Sequence, residues 1–477
     1  MSDAPTLDAA VVADAAAYLR SWWPARRAHT RTPGVQAALW FEGQLVLSLA
    51  DGVAHLDVAD PLTPAHLFRV ASHSKTFTAA ALHRLHEQGR VRLDDTLGRW
   101  IGWLAEVESP LADRTIAEVL GHGAGITRDG RAADHWQLHE PFLDADGLRR
   151  VVADGADVTP ANVRFKYSNI GYSLLGQVVE AVAGVSWRDH VRTELIEPLG
   201  LRSTFTDLGE LDPDRFAGAH SSQALGADRV WIDQVDAEAM SSATGVVSTA
   251  SDLCRWASAH FDGDERLMSD DSKRRMRHRA WTVEGKGEGD YGLGWAINDL
   301  GGRTVYGHGG GWPGHITRTM FDPSARLAVA VATNSIDGPA LEMAGGAIRL
   351  VDLAARNAAR AAADGNGLGA DWRVAAEAVC GRYASLWGVL DVALLGGRLV
   401  GLSPTVADPT ALHVEYSMVD DTTLRIESGS GYGSVGEELR FELAGDGRVQ
   451  RVTGAGPTLV PLADLDLPDR VRLGWTS

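Results

Sequence analysis

Strand-like runs stand at the two ends of the stretch before Val351, and helix patterns fill what lies between. Val35 to Phe41 and Gln44 to Leu47, joined by Glu42-Gly43, read as a hairpin. Arg303 to Tyr306, Thr317 to Phe321 and Leu327 to Thr333 read as three further strands. Helical patterns cover Thr76 to Leu85, Ile170 to Val182 and Ser251 to Phe261, and alanine-rich helices are expected at Ala9 to Leu19 and Ala340 to Ala363. Strands that bracket helices are satisfied by one antiparallel sheet in which the first and last strands meet, with a helical lobe inserted. The class is therefore α+β.

The pattern changes at Asp364-Gly365-Asn366-Gly367-Leu368-Gly369. Beyond it come short alternating runs with tight turns: Val389 to Leu395, Gly396-Gly397, Arg398 to Leu402, then Leu439, Phe441 and Leu443 on one face, and Val449 to Val452 after Gly445-Asp446-Gly447. The expected division is a first domain over 1–364, a linker over 365–370, and a small all-β barrel over 371–477.

A chain of 477 residues that is 45% hydrophobic can bury a large core in two or three domains. Its net charge of −18 repels nucleic acid and anionic membrane, so neither is expected as a partner. Two cysteines far apart, Cys254 and Cys380, give no disulfide framework and no clustered thiolate site. Met1 to Leu19 lacks a basic segment followed by an apolar one, and no stretch approaches the apolar length of a membrane span. A cytoplasmic location is the expectation. The oligomeric state stays open, a homo-oligomer included.

Chemistry enters at Phe68-Arg-Val-Ala-Ser-His-Ser-Lys-Thr-Phe77. Ser72 and Lys75 are three residues apart where a helix begins, so they share a face. A serine hydroxyl becomes a nucleophile when a neighbour takes its proton, and a lysine can do so once its ammonium form is disfavoured. A helix N-terminus disfavours a cation and offers N–H groups to an oxyanion. Alone, Ser-x-x-Lys describes an ordinary capping serine with an exposed lysine. Tyr167-Ser168-Asn169, just before a helix, and His308-Gly309-Gly310-Gly311, between two strands, supply partners.

In that order and at those separations, the three segments resemble the penicillin-recognising serine hydrolases, in particular the branch that holds class C β-lactamases, D-stereospecific aminopeptidases and amidases, DD-carboxypeptidases and related esterases. Leu120 to Ile126, Thr244 to Thr249 with Asp252 and Trp256, and Tyr291 to Trp295 match as well. The resemblance implies a β-lactamase-like antiparallel sheet flanked by helices. It makes Ser72 the acylated nucleophile, Lys75 its proton acceptor and Tyr167 a general base or shuttle, with the division of labour open and a phenol pKa depressed by nearby cations. Asn169 would bind the substrate amide and position Lys75. Gly310 and Gly311 would border an oxyanion hole built from the Ser72 and Gly311 N–H groups. His308 and Trp312 would contact substrate, with Trp312 an aromatic wall. His308 departs from the lysine usual in true β-lactamases, which favours peptidase, amidase or esterase chemistry on a small molecule or short peptide. No metal and no cofactor are expected. The region from Gly381-Arg382-Tyr383 onward resembles the lipocalin-like barrel appended to some members.

Other motifs carry less. Gly431 to Gly436 fits G-x-G-x-x-G but leads into a strand rather than a helix. His135 and His139 lack the His-Glu-x-x-His order of a zinc helix. No G-x-S-x-G elbow occurs, against an α/β-hydrolase. Acyl transfer to an alcohol or amine, β-lactam hydrolysis and a non-catalytic binding role stand as alternatives to hydrolysis. Long, charged Thr127 to Thr159 is expected to cover the site and select substrate.

Overall fold

A computed structural model describes residues 4–209, 211–226, 228–284, 289–364, 370–429, 434–472 and 475. By contacts it divides into two units, one of Thr30–Ala344 and the other of the Asp3–His29 and Gly345–Ser477 segments.

In the first unit, nine strands among the described residues form one sheet. Their order is 60–61, 44–55, 34–41, 327–333, 315–322, 303–312, 296–300, 290–291 and 281–282. The expected meeting of the sequence ends lies within it: Val35 pairs with Thr333 and Phe41 with Leu327, antiparallel. Every residue of Gly34–Phe41 and of Leu327–Thr333 is buried, which explains why these strands are largely apolar and do not alternate; Gln36 is the polar exception within the first. The helix Ala250–Ser258 packs across both strands, with the Cys254 thiol 3.4 Å from the Ala38 carbonyl. Thr249 caps that helix by accepting from the Asp252 N–H at 3.2 Å.

The helix Ser74–Glu87 runs through the middle of the unit. Its Phe77 ring stacks on Trp256 at 3.9 Å, and Ala79, Ala80, Ala81, Leu82 and Leu85 are buried with it. The helix Asn169–Ala183 lies beside it, capped by Ser168 and stopped by Gly184 at φ +78°. Residues 127–159 hold a short turn at Asp134–Gln137 and a helix at Ala145–Ala153.

The second unit contains an eight-strand sheet running from Gly381–Ser385 to Val460–Pro461. Val460–Pro461 pairs back onto Tyr383 and Ala384, and a bridge joins Val452 to Leu459, so the barrel is nearly closed. Tyr383, Val392, Leu399, Leu424, Phe441 and Val452 fill its core. Leu443, expected on the same face as Leu439 and Phe441, is 39% exposed.

The division falls earlier than the expected 1–364 and 371–477. The helix Ala340–Asp364 crosses it, and the helix Ala9–His29 belongs to the barrel's unit although it opens the chain. Packing sets the boundary where composition did not: a Cβ at Gly346 would meet the Trp22 ring at 2.5 Å, one at Gly396 would meet the Ala354 carbonyl at 1.9 Å, and the Tyr18 hydroxyl donates to Asp391 at 2.8 Å. The 365–370 linker lies, but for residue 370, outside the described residues, as do residues 431–433 of the glycine motif.

Candidate active site

Ser72 does not sit on the first turn of the long helix. It occupies a separate turn, Ala71–His73, that runs into that helix, and Ala71 adopts φ +44°, a left-handed conformation costly for a residue with a Cβ. The turn is held on both sides. Val70 donates to the Val246 carbonyl at 3.0 Å, while the Ser74 hydroxyl donates to the Ala71 carbonyl at 2.7 Å and accepts from the Val246 N–H at 2.9 Å.

The strand Arg303–Trp312 closes on this turn because it carries glycine. A Cβ at Gly310 would lie 2.1 Å from the Val70 carbonyl oxygen, so no other residue permits the approach. At Gly311 a Cβ would meet only Ile316 at 3.6 Å. The space left there belongs to a cavity of about 770 Å³ that Ser72, Tyr167, Asn169, His308 and Gly311 all line.

The three motif segments converge at Ser72. Its Oγ lies 3.2 Å from Lys75 Nζ and accepts from the Tyr167 hydroxyl at 2.9 Å. Lys75 is fully buried, and burial holds its amine well below the ordinary lysine value; Arg128 pushes the same way and Asp129 opposes. A free amine has two hydrogens and one lone pair. Asn169 Oδ1 at 2.6 Å and the Ala243 carbonyl at 2.8 Å can only accept, so they take the two hydrogens. The lone pair then faces the one neighbour able to donate, the Ser72 hydroxyl. The Asn169 amide is oriented in turn by Asp129, which accepts from its Nδ2 at 2.6 Å.

Three expectations change. The Tyr167 phenol is raised above the ordinary tyrosine value, not depressed: burial outweighs the Ser72 hydrogen bond and Arg128. Arg128, the cation that would lower it, is paired with Asp129 at 3.2 Å, whose charge raises it. Trp312, expected as a cavity wall, is fully buried and does not line the cavity. It stacks on Phe142 at 4.8 Å beneath the Arg69 guanidinium, 3.8 Å from its ring, and so backs the site; Trp136 is the tryptophan that reaches the cavity. His308 lines the cavity but has no nitrogen to spare, because Nδ1 donates to the Gly309 carbonyl at 2.7 Å and Nε2 accepts from the Tyr291 hydroxyl at 3.1 Å. Burial keeps that ring neutral, well below the ordinary histidine value.

The motifs did not point to Arg128, Asp129 or Arg318, which also line the cavity. The first two lie at the start of the segment expected to select substrate. Arg318 lies inside the strand expected at Thr317 to Phe321, where no motif marks it.

Comparison with known proteins decides the affiliation. The family model described as Beta-lactamase matches residues 19–355. The chain belongs to the beta-lactamase family. Penicillin-binding protein 4 of Amycolatopsis lactamdurans is 30% identical over 339 residues, covering 67% of this chain and 85% of that protein. Among solved structures, the D-amino acid amidase of Ochrobactrum anthropi SV3 superposes with a TM-score of 0.58 at 25% identity, over 66% of this chain and 91% of its own. The octameric penicillin-binding protein homologue of Pyrococcus abyssi shares the fold over a greater length, with a TM-score of 0.62 at 21% identity, covering 93% of this chain and 99% of that one. This member of the beta-lactamase family is thus a serine hydrolase by descent, with the family fold in its first unit and a nearly closed barrel in its second. No described helix is long and apolar enough to cross a membrane.

Proposed function

We propose that the protein hydrolyses a small amide or short peptide, with a D-amino acid accepted in the acyl portion, through an ester formed on Ser72. The observation that carries this reading is the Lys75 amine, whose lone pair is directed at Ser72 Oγ by two neighbours that can only accept. Lys75 takes the hydroxyl proton as Oγ bonds to the substrate carbonyl carbon. The carbonyl oxygen, now an anion, is held by the Ser72 and Gly311 N–H groups. As the tetrahedral intermediate collapses, the C–N bond breaks and the departing nitrogen receives a proton from the neutral Tyr167 hydroxyl, which Lys75 replenishes. Water then loses a proton along the same route, adds to the ester carbonyl and frees Ser72. The D-amino acid preference rests on likeness to the O. anthropi amidase.

Fluorophosphonate treatment followed by peptide mass mapping tests the nucleophile: an adduct on Ser72 is expected, and a folded protein without one would indicate a binding role. Turnover of D-alanine p-nitroanilide should exceed that of the L-isomer and of nitrocefin, and p-nitrophenyl acetate measures any esterase component. Dominant nitrocefin hydrolysis would replace this reading with a β-lactamase.

Acyl transfer is a second reading, favoured by the cavity volume, which lies in the upper part of the range for ligand pockets and leaves room for an acceptor beside the acyl group. An added amine that is incorporated into product in preference to water would establish it. Self-association of the chain is proposed by likeness to the P. abyssi octamer and is checked by light scattering.

A further inference from the structure

The short helix Ile116–Leu120 ends in a left-handed turn. Past its cap, Gly121, the His122 N–H donates to the Val119 carbonyl at 3.0 Å and the Gly123 N–H to the Glu118 carbonyl at 2.7 Å, while His122 itself stands at φ +60°. Glycine is the residue this position favours, and glycines flank it on both sides. A histidine there is held against its own backbone preference, so its side chain must supply the reason.

That side chain is buried, at 1% exposure. The His122 carbonyl accepts from the Lys166 N–H at 2.8 Å, and its Nδ1 accepts from the Ser168 N–H at 3.2 Å, so one residue grips the backbone on either side of Tyr167. Its ring also lies against the Tyr167 ring, with centroids 4.3 Å apart, and the Tyr172 and Tyr291 rings are each 5.0 Å away. An imidazole that accepts at Nδ1 carries its hydrogen on Nε2, and among the described residues Nε2 is buried without a hydrogen-bond partner. Burial keeps the ring neutral, well below the ordinary histidine value; an imidazolium would put a hydrogen on Nδ1 and break the bond to Ser168. A strained backbone and an unmatched buried N–H are both retained where the contacts serve the segment that carries Tyr167.

We infer that His122 is a positioning residue for Tyr167: it clasps the chain before and after the tyrosine and braces its ring, so that the phenol hydroxyl stays on Ser72 Oγ, ready to protonate the departing nitrogen. The inference rests on the proposed hydrolase reading for the identity of that proton transfer, but not for the contacts. A p-nitrophenolate leaves without a proton, whereas an anilide nitrogen needs one. Misplacing Tyr167 should therefore impair acylation by an anilide and spare acylation by the matching ester.

The test measures kcat/KM, which reports acylation, for D-alanine p-nitroanilide and D-alanine p-nitrophenyl ester with the full chain. His122→Gly suits the backbone but removes the ring and its acceptor; it should lower the anilide value on the order of 10- to 100-fold and the ester value by less than about threefold. His122→Asn tolerates the left-handed turn and places Oδ1 where Nδ1 stood, so it should restore most of the loss. Where the glycine variant does not fold, His122→Gln, whose acceptor is displaced by one bond, should show the same anilide-selective loss. In a Tyr167→Phe background, His122→Gly should add no further loss, because both changes act on one hydroxyl. Equal losses on the two substrates, no loss on either, an asparagine variant no better than glycine, or a multiplied loss in the Tyr167→Phe background each overturn the inference while leaving the hydrolase reading in place. A wild-type protein with neither turnover nor a fluorophosphonate adduct on Ser72 removes that reading, and the role of His122 with it.

Discussion

Two lysines of the first unit have no side-chain exposure, and their surroundings differ in one respect. Lys273 donates to the Phe261 carbonyl at 2.8 Å, to the Asp264 carbonyl and to the Asp270 carboxylate at 2.9 Å. All three are acceptors, and one carries a full negative charge, so every hydrogen of an ammonium is used. Lys75 also has three oxygen neighbours, but none is a carboxylate and one, Ser72, is a hydroxyl that can donate. Burial is common to both. What separates a structural lysine from a base is whether a neighbour can give up a proton, which can be read from hydrogen-bonding capacity alone.

The largest effect should come from breaking the reactive member of the pair. Lys75→Met is expected to lower kcat/KM by about 10³-fold, within the usual range for loss of a general base, with a circular dichroism spectrum like that of the wild type. If the variant instead lost chiefly stability, the contrast with Lys273 would vanish. Lys273→Met should do the opposite: a loss of ~2 kcal/mol in a denaturant melt, from stranded carbonyls and an unpaired Asp270, with turnover per folded molecule retained.

The pH profile sharpens the assignment. Because the Lys75 pKa is lowered in the folded protein and the proposed base is its free amine, kcat/KM should fall about tenfold per pH unit below that value and be flat above it. The raised Tyr167 pKa predicts no alkaline decline before the ordinary tyrosine range is passed. A decline beginning near pH 8 would instead identify Tyr167 as an ionising group. The smallest change belongs to Asp129→Asn. Its carboxylate favours the Lys75 ammonium, so removing it should move the acid limb to lower pH, with a loss of about 3- to 10-fold at neutral pH as Asn169 loses its orientation.

Much of this was legible in the residues. The sheet could be read because its strands are largely apolar, and Ser72, Lys75, Tyr167 and Asn169 because Ser-x-x-Lys and Tyr-x-Asn stand in the order of a known family. What escaped depended on packing at long range. The first helix, expected over Ala9 to Leu19 from its alanines, continues to His29 with Pro24 inside. The unit boundary escaped because Gly346, Trp22 and Pro409, distant in sequence, meet in space. Trp312 was placed in the cavity because its neighbours are, although its ring turns to Phe142. The Tyr167 shift needed the burial of the phenol itself, which no spacing reveals, and Arg318 needed the strand register that sets it across from a glycine.

The pairing of Val35–Phe41 with Leu327–Thr333 also governs how the molecule can be made. On the ribosome the opening hairpin must wait, one largely apolar border unmatched, until almost all of its unit has been translated. Nascent chains that stop short of Leu327 keep that border open and are the species expected to aggregate. Joining these two strands by a short loop in a circular permutant would turn the latest contact of synthesis into an early one and should speed refolding.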